Sequence, residues 1–231
     1  MARVNYTYAD KYMLTASVRS DGASQLSDGH KWASFPSVAL GWRIDQEKFM
    51  QKADFISNLK LRLGYGISGN YAVSAYATQG AVQSNYYAWG SMDPTVGYLP
   101  SDASAKNPNK MANLDLGWEK TKQWNLGLDF GFINNRISGS VDYYHNKTTD
   151  LILATTIPSL TGYTSTYANV GETSGWGLDL QLNAIPVKTK DFEWNTSLTW
   201  TIDRNRVDKL NNGVKENVND RLFVGEEIGV Y

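Results

Sequence analysis

Between residues 124 and 144 the side chains alternate so strictly that few folds can hold them. Trp124, Leu126, Leu128, Phe130 and Phe132 share one parity, while Asn125, Gly127, Asp129 and Gly131 fill the other. That is the period of two that a β-strand imposes. Asn134 and Asn135 follow, residues that tolerate the positive φ of a tight hairpin turn. Ile137, Gly139, Val141 and Tyr143 then alternate with Ser138, Ser140, Asp142 and Tyr144. The stretch predicts a β-hairpin with one apolar face and one face that is polar or nearly bare. In a soluble sandwich the apolar parity faces a core; in a membrane barrel it faces lipid, and the polar parity faces a wet lumen.

The same pattern recurs along the chain. Val4, Tyr6 and Tyr8 lead through a tight turn at Ala9 and Asp10 to Tyr12, Leu14, Ala16 and Val18. Val38, Leu40, Trp42 and Ile44 form one parity of a strand from Phe35 to Ile44, and Leu59, Leu61, Leu63, Tyr65 and Ile67 one parity of the next. Trp176 to Ala184 and Phe192 to Ile202 complete the set. Phe49, Met50, Phe55 and Ile56 stand at helical spacing between Asp45 and Asn58, which predicts a short helical turn there. Residues 69 to 116 and 149 to 174 lack sustained alternation and read as long loops, and the segment from Asp203 reads as a polar tail.

The order of connections says more than any single strand. Short ones (9 to 10, 134 to 135, 186 to 191) and a medium one (45 to 58) alternate with long ones (20 to 33, 69 to 116, 149 to 174). Successive turns of an up-and-down antiparallel sheet fall at opposite ends, so short connections gather at one end and long ones at the other. That asymmetry belongs to outer-membrane barrels, with short periplasmic turns and long extracellular loops. A loop as long as 69 to 116 is also abnormal inside a compact soluble domain. Trp42, Trp118, Trp124, Tyr143, Trp176 and Trp194 lie near strand ends, where aromatic girdles form.

Composition agrees. Gly 20, Tyr 14 and Trp 8 against only 6 Pro suit an aromatic-rich all-β chain. Lys plus Arg is 22 against 23 acids, a formal net charge of -1, which argues against a nucleic-acid surface. There is no cysteine, hence neither a disulfide framework nor a thiolate metal site. A mean hydropathy of -0.42 does not exclude a membrane barrel, because half of each strand faces water. The first residues enter strand pattern at once, without a charged-then-apolar leader, so the sequence is expected to be an internal piece.

Several blocks also resemble a known family. They include Arg3-Val-Asn-Tyr-Thr-Tyr-Ala-Asp-Lys-Tyr-Met-Leu-Thr-Ala-Ser-Val-Arg-Ser-Asp-Gly22, Phe35-Pro-Ser-Val-Ala-Leu-Gly-Trp-Arg-Ile44 and Ile56-Ser-Asn-Leu-Lys-Leu-Arg-Leu-Gly-Tyr-Gly66. Trp118-Glu-Lys-Thr-Lys-Gln-Trp-Asn-Leu-Gly-Leu-Asp-Phe-Gly131, Tyr143-Tyr-His-Asn-Lys-Thr-Thr-Asp-Leu-Ile152, Ala168-Asn-Val-Gly-Glu172 and Asp191-Phe-Glu-Trp-Asn-Thr-Ser-Leu198 continue them. In this order they are similar to the barrel of SusC/RagA-type TonB-linked (TonB-dependent) outer-membrane receptors. The resemblance implies a barrel of about 22 strands enclosing a plug, a SusD-like lipoprotein lid, and import of glycans or peptides driven through TonB. It implies a multi-pass place in the Gram-negative outer membrane. Residues 1 to 231 are then one partial barrel domain, with signal, TonB box, plug and remaining strands outside it.

No motif points to an enzyme or a cofactor. His30 and His145 read as solvated loop or lumen residues, and Asp129, Asp142 and Asp179 as lumen carboxylates pairing with Arg and Lys across strands. The loop aromatics Tyr86, Tyr87, Trp89 and Tyr98 are the candidates for substrate contact, since flat rings with polar tips stack on sugars or peptides. The reading is therefore an antiparallel transmembrane sheet of roughly eight strands, part of a nutrient importer. Its rival is a soluble, secreted β-sandwich that binds carbohydrate and buries the same parity between two sheets.

Overall fold

The computed structural model of the chain describes all residues except 51, 80, 88–94, 102–109, 159, 161, 219–220 and 230–231; across 81–87 and 95–101 it describes the backbone alone. The strands in order are Ala2–Tyr8 (β1), Tyr12–Gly22 (β2), Trp32–Arg43 (β3), Ile56–Asn70 (β4), Ala81–Tyr87 (β5), Thr95–Ser101 (β6), Lys110–Met111 (β7) and Glu119–Phe132 (β8). Ile137–Thr149 (β9), Ile152–Thr156 (β10), Ser165–Asn169 (β11), Glu172–Lys188 (β12), Glu193–Lys209 (β13), Glu216–Asn217 (β14) and Leu222–Phe223 (β15) follow. Eight of them form one antiparallel sheet in the order β1-β2-β3-β4-β8-β9-β12-β13. Every neighbour in that sheet is the next long strand along the chain, so the topology is the expected up-and-down meander.

The register aligns the apolar parities across the whole sheet. Tyr6, Leu14, Leu40, Leu63, Leu126, Tyr143, Leu178 and Ile202 are successive partners, one per strand. This continuous face is uncovered: Trp124 is 53% exposed, Leu126 47%, Leu198 57% and Trp200 48%. A sandwich would bury these side chains under a second sheet, and among the described residues none lies against them. The soluble alternative therefore has no support.

Aromatic rings collect at both margins of the face. Toward the short connections lie Tyr8 stacked on Tyr12 at 6.5 Å, Phe55 on Phe132 at 6.2 Å, and Trp42. Toward the long ones Tyr65 meets Trp124 at 4.5 Å and Tyr143 meets Trp176 at 6.4 Å. The eight residue steps from Trp124 to Phe132 span about 27 Å along the strand, or about 21 Å along the axis of a barrel whose strands tilt by about 40°. That approaches the apolar band of about 25 Å in outer-membrane barrels. His145 stands in register with Trp124 and Trp176, on this outer parity and not in the lumen.

Local chemistry fixes the ends. At the short-connection end residues 9–11 and 133–136 link strands, with positive φ at Ala9, Asp10, Ile133, Asn134 and Asn135. The second turn is therefore four residues long and not two. Ile44–Gln46 and Lys48–Met50 form 3₁₀ turns, the first taking in Ile44, read as the end of the strand, and the second inside the expected 45–58 connection. Pro186, lacking an N–H, sits at the register shift between Ala184 and Val187, where a strand tolerates it. Several strands outrun their apolar stretch. β12 and β13 each have 17 residues, and β13 runs to Lys209 through the segment read as a polar tail.

The long connections also hold more structure than their sequence suggested. Residues 69–116 contain the β5/β6 hairpin and β7, and 149–174 contains β10 and β11, which form a three-stranded sheet in the order β10-β11-β7. A buried cluster of Ala23, Leu26, Phe35, Leu116 and Trp118 ties this end together. Trp118, expected in a girdle, is only 6% exposed, with Phe35 at 5.3 Å and Tyr71 at 4.9 Å, both edge-on, and its Nε1 donates to the Lys31 carbonyl at 3.1 Å.

Candidate lumen wall and loop cleft

The polar parity forms the opposite face of the eight-stranded sheet, and its side chains satisfy one another. Arg62 on β4 donates from Nε to both carboxylate oxygens of Asp129 (3.0 and 2.9 Å) and from Nη2 to Oδ1 (2.7 Å). The same Nη2 reaches past β8 to Asp142 on β9 at 2.9 Å. Gly127 makes that crossing possible: a Cβ there would stand 2.5 Å from Asp142 Oδ1 and 2.7 Å from the guanidinium. Tyr144 repeats the device one strand pair along. Its hydroxyl passes over Gly177, whose Cβ would overlap the phenol ring, and donates to Asp203 on β13 at 2.9 Å.

Smaller groups complete the face, with Thr15 donating to Asn5 at 2.9 Å, Ser17 to Ser37 contact at 2.7 Å and Thr121 to Thr148 contact at 2.8 Å. Asp129 and Asp142 both accept from one guanidinium, three bonds for Asp129 and one for Asp142. The wall can line a water-filled passage and hold its register.

At the short-connection end Glu47 gathers the polar tips of the girdle. Tyr12 Oη donates to its Oε1 at 2.7 Å, Trp42 Nε1 to the same oxygen at 3.2 Å, and Lys11 Nζ to Oε2 at 3.4 Å. The Tyr12 hydroxyl, then the Trp42 indole and the Lys11 ammonium, hold the Glu47 carboxyl below its ordinary pKa.

At the other end three long connections are laced together. Asn169 exchanges bonds with the Gly117 backbone at 2.7 and 2.9 Å, and Asn113 Nδ2 donates to the Tyr167 carbonyl at 2.7 Å. Thr166 Oγ1 donates to the Met111 carbonyl at 3.0 Å, and Ser27 Oγ to that of Asn113 at 2.8 Å. On this scaffold an open cleft of about 530 Å³ runs between β10 and residues 210–218; Ala154, Thr156, Asn211, Asn212 and Glu216 lie along its banks. The alternation of apolar residues gives no signal for this cleft, because neither bank belongs to the two-faced sheet.

The four aromatics expected to touch substrate fall in the β5/β6 region. Tyr86 and Tyr87 lie on β5 and Tyr98 on β6, with Tyr86 opposite Val96 and Ser84 opposite Tyr98. Their side chains, and Trp89 altogether, lie outside the described residues. The described cleft is formed by other residues.

An antiparallel sheet with an uncovered, girdled apolar face and an ion-paired polar face is the wall of a transmembrane β-barrel. Residues 1–225 match the family described as TonB dependent receptor-like, beta-barrel, and the chain belongs to it. It is similar to the TonB-dependent receptor SusC of Bacteroides thetaiotaomicron, 39% identical over 91% of this chain and 21% of that protein. A TonB-dependent receptor of Formosa agariphila is 38% identical over 99% of this chain and 23% of its own length. The chain thus spans about a fifth of the length of the relatives it matches. Among solved structures, that of the RagAB peptide importer in its open-open state superposes with a TM-score of 0.84 at 30% identity, over 96% of this chain and 24% of that one. A further structure of the RagAB peptide transporter gives a TM-score of 0.78 at 32% identity over 92% and 22%.

Proposed function

We propose that the chain is one partial barrel domain, a multi-pass section of the wall of a TonB-dependent receptor in a Gram-negative outer membrane, and that this receptor imports oligomeric nutrients, glycans or peptides. The observation that carries the reading is the uncovered apolar face, bounded by two aromatic belts about 21 Å apart along the barrel axis and backed by a polar, ion-paired face. Lipid is the solvent that accepts such a face without a second protein layer. Energy enters from TonB and capture involves a SusD-like lipoprotein lid; both act through portions of the receptor beyond this wall. Similarity to SusC and to the RagAB peptide importer supports this assignment. The segment itself performs no catalysis. Tyr86, Tyr87, Trp89 and Tyr98 are proposed as substrate-contacting aromatics of the outer loops.

The test is fractionation and uptake with the receptor that carries this wall. The protein is expected in the outer-membrane fraction as a heat-modifiable band, with uptake of an oligomeric nutrient abolished by deletion of either the receptor or TonB. Recovery as a monodisperse soluble protein without detergent, or uptake indifferent to TonB, refutes the reading.

A further inference from the structure

A band of cations stands directly above the aromatic belt at the long-connection end, on the face that meets lipid. Even-numbered residues of β8 share the side of Trp124 and Leu126, so Lys120 and Lys122 point outward, and both are exposed. The odd-numbered residues of β9 share that face, which puts His145 and Lys147 there, exposed as well. His145 lies in the belt itself, with Trp124 on one side and Trp176 on the other. Lys122 and Lys147 are direct partners in the next row, and Lys120, opposite Thr149, begins the row above. Along β8, Lys122 lies about 7 Å and Lys120 about 13 Å beyond Trp124, which a strand tilt of about 40° turns into about 5 and 10 Å along the barrel axis. A headgroup layer is about 5–8 Å deep, so Lys122 stands within it and the flexible stem of Lys120 reaches it from above.

The acids nearby do not neutralise this band. Glu172 is shared between Lys147 at 2.7 Å and Lys209 at 4.0 Å, Asp208 pairs with Arg206 at 2.9 Å, and Glu227 with Arg204 at 2.9 Å. Among the described residues no carboxylate pairs with Lys120 or Lys122. Like charges directly opposite one another weaken a sheet, and an anion seated between Lys122 and Lys147 removes that cost. A phosphate monoester fits the place: it brings a charge of about −1.5 to −2 and three acceptor oxygens. Lys120, Lys122 and Lys147 stand about 5 Å apart across the strands and about 7 Å apart along β8, close enough for three long side chains to close on one such group. Lys147 has donors to spare beyond the one given to Glu172. Cargo in the lumen meets the opposite parity of these strands, so the occupant of this band belongs to the membrane.

We propose that Lys120, Lys122 and Lys147, with His145 beneath them, bind the headgroup phosphate of the phosphorylated glycolipid that forms the outer leaflet of a Gram-negative outer membrane. This rests on the reading of the sheet as a membrane wall and assigns that wall a lipid-recognition site.

The test is a native mass-spectrometric titration of the purified, detergent-folded receptor. The probes are diphosphoryl lipid A, the same lipid A with its phosphates removed, and inorganic phosphate. The double variant Lys120→Gln, Lys122→Gln removes two charges and keeps side-chain length and hydrogen bonding. Lys48→Gln with Lys52→Gln, in the 45–58 connection at the opposite end, is the control for charge in general. The wild type should bind diphosphoryl lipid A and lose most of that affinity when the phosphates are removed, a comparison that holds whether or not the variant folds. The Lys120, Lys122 double variant should bind diphosphoryl lipid A about thirty-fold more weakly, about five-fold for each lysine near a charged lipid surface, and the control should match the wild type. Equal binding of the two forms of lipid A, unchanged affinity in a folded double variant, an equal loss in the control, or inorganic phosphate competing as strongly as lipid A itself each overturns the proposal. Heat-modifiable migration is scored separately: a receptor that migrates as a folded barrel yet ignores lipid phosphate leaves the membrane reading standing, and recovery without detergent sinks that reading on its own.

Discussion

Replacing Arg62 with Met should destabilise the wall by about 2 kcal/mol. The guanidinium makes three bonds to Asp129 and one to Asp142. Shielded hydrogen bonds to charged groups contribute about 1.5–3 kcal/mol and exposed ion pairs about 0.2–1. Arg62 is 33% exposed, Asp129 28% and Asp142 20%, an intermediate case, so each carboxylate loses about 1 kcal/mol. Met retains most of the apolar stem and isolates the charge effect.

The geometry also ranks the partners: Asp129→Asn, which disturbs a bidentate contact, should cost more than Asp142→Asn, which loses a single bond. A double-mutant cycle between Arg62→Met and Asp129→Asn should show coupling of about 1 kcal/mol, shrinking in about 1 M salt. The assay is equilibrium urea unfolding of the liposome-inserted receptor, followed by tryptophan fluorescence. A stability change under about 0.5 kcal/mol together with zero coupling refutes the assignment of this network as a structural tie.

Leu126→Arg places a charge in the middle of the outer face and should cost about 2–4 kcal/mol in a bilayer, read by the same urea titration; a neutral result contradicts the lipid-facing assignment. Gly139→Val should impair insertion, because a side chain there overlaps the Gln181 carbonyl and stands 2.9 Å from the Phe130 ring. Gly64→Val is the control, its nearest atom being Asn125 Cβ at 3.8 Å, and folding yield on a heat-shift gel separates the two. Glu47 has a folded pKa below its ordinary 4.5, so its contribution is full above 4.5 and fades as pH falls through the lowered value. Amide protection in the 9–11 turn and the 44–50 segment, taken relative to the intrinsic exchange rate at each pH, should fall over that acid range, and Glu47→Gln should remove this pH dependence.

The strands of the main sheet were legible because two different solvents act on their two faces, so each stave writes its alternation into the sequence. The order of connection lengths then separated barrel from sandwich before any packing was known. Elements beyond the aromatic belts escaped that reading. The β5/β6 and β10/β11 hairpins and the last residues of β13, such as Asp203, Arg204, Asn205 and Arg206, need no apolar parity. Backbone pairing keeps them extended, helped on β13 by polar ties such as Tyr144 to Asp203 and Arg204 to Glu227. Trp118 misled for a related reason: proximity to a strand end says nothing about whether a ring turns to lipid or into the Leu26–Leu116 cluster. Cross-strand pairing of Asp129 and Asp142 with a cation was legible, but not that one Arg62 serves both, because Arg62, Gly127 and Asp142 are brought together only by pairing across three strands.

The bare positions Gly127 and Gly177 also bear on how the wall avoids misassembly. A strand that slips by two residues keeps every apolar side chain outward and every polar one inward, so neither lipid nor water opposes the error. Arg62 and Tyr144 do oppose it. A slip on β8 that brings Asn125 opposite Arg62, or on β12 that brings Asp179 opposite Tyr144, puts a side chain into the lane that the guanidinium or the phenol now crosses. Two long side chains and two missing ones thereby distinguish the native alignment from neighbours that the hydrophobic pattern counts as equal.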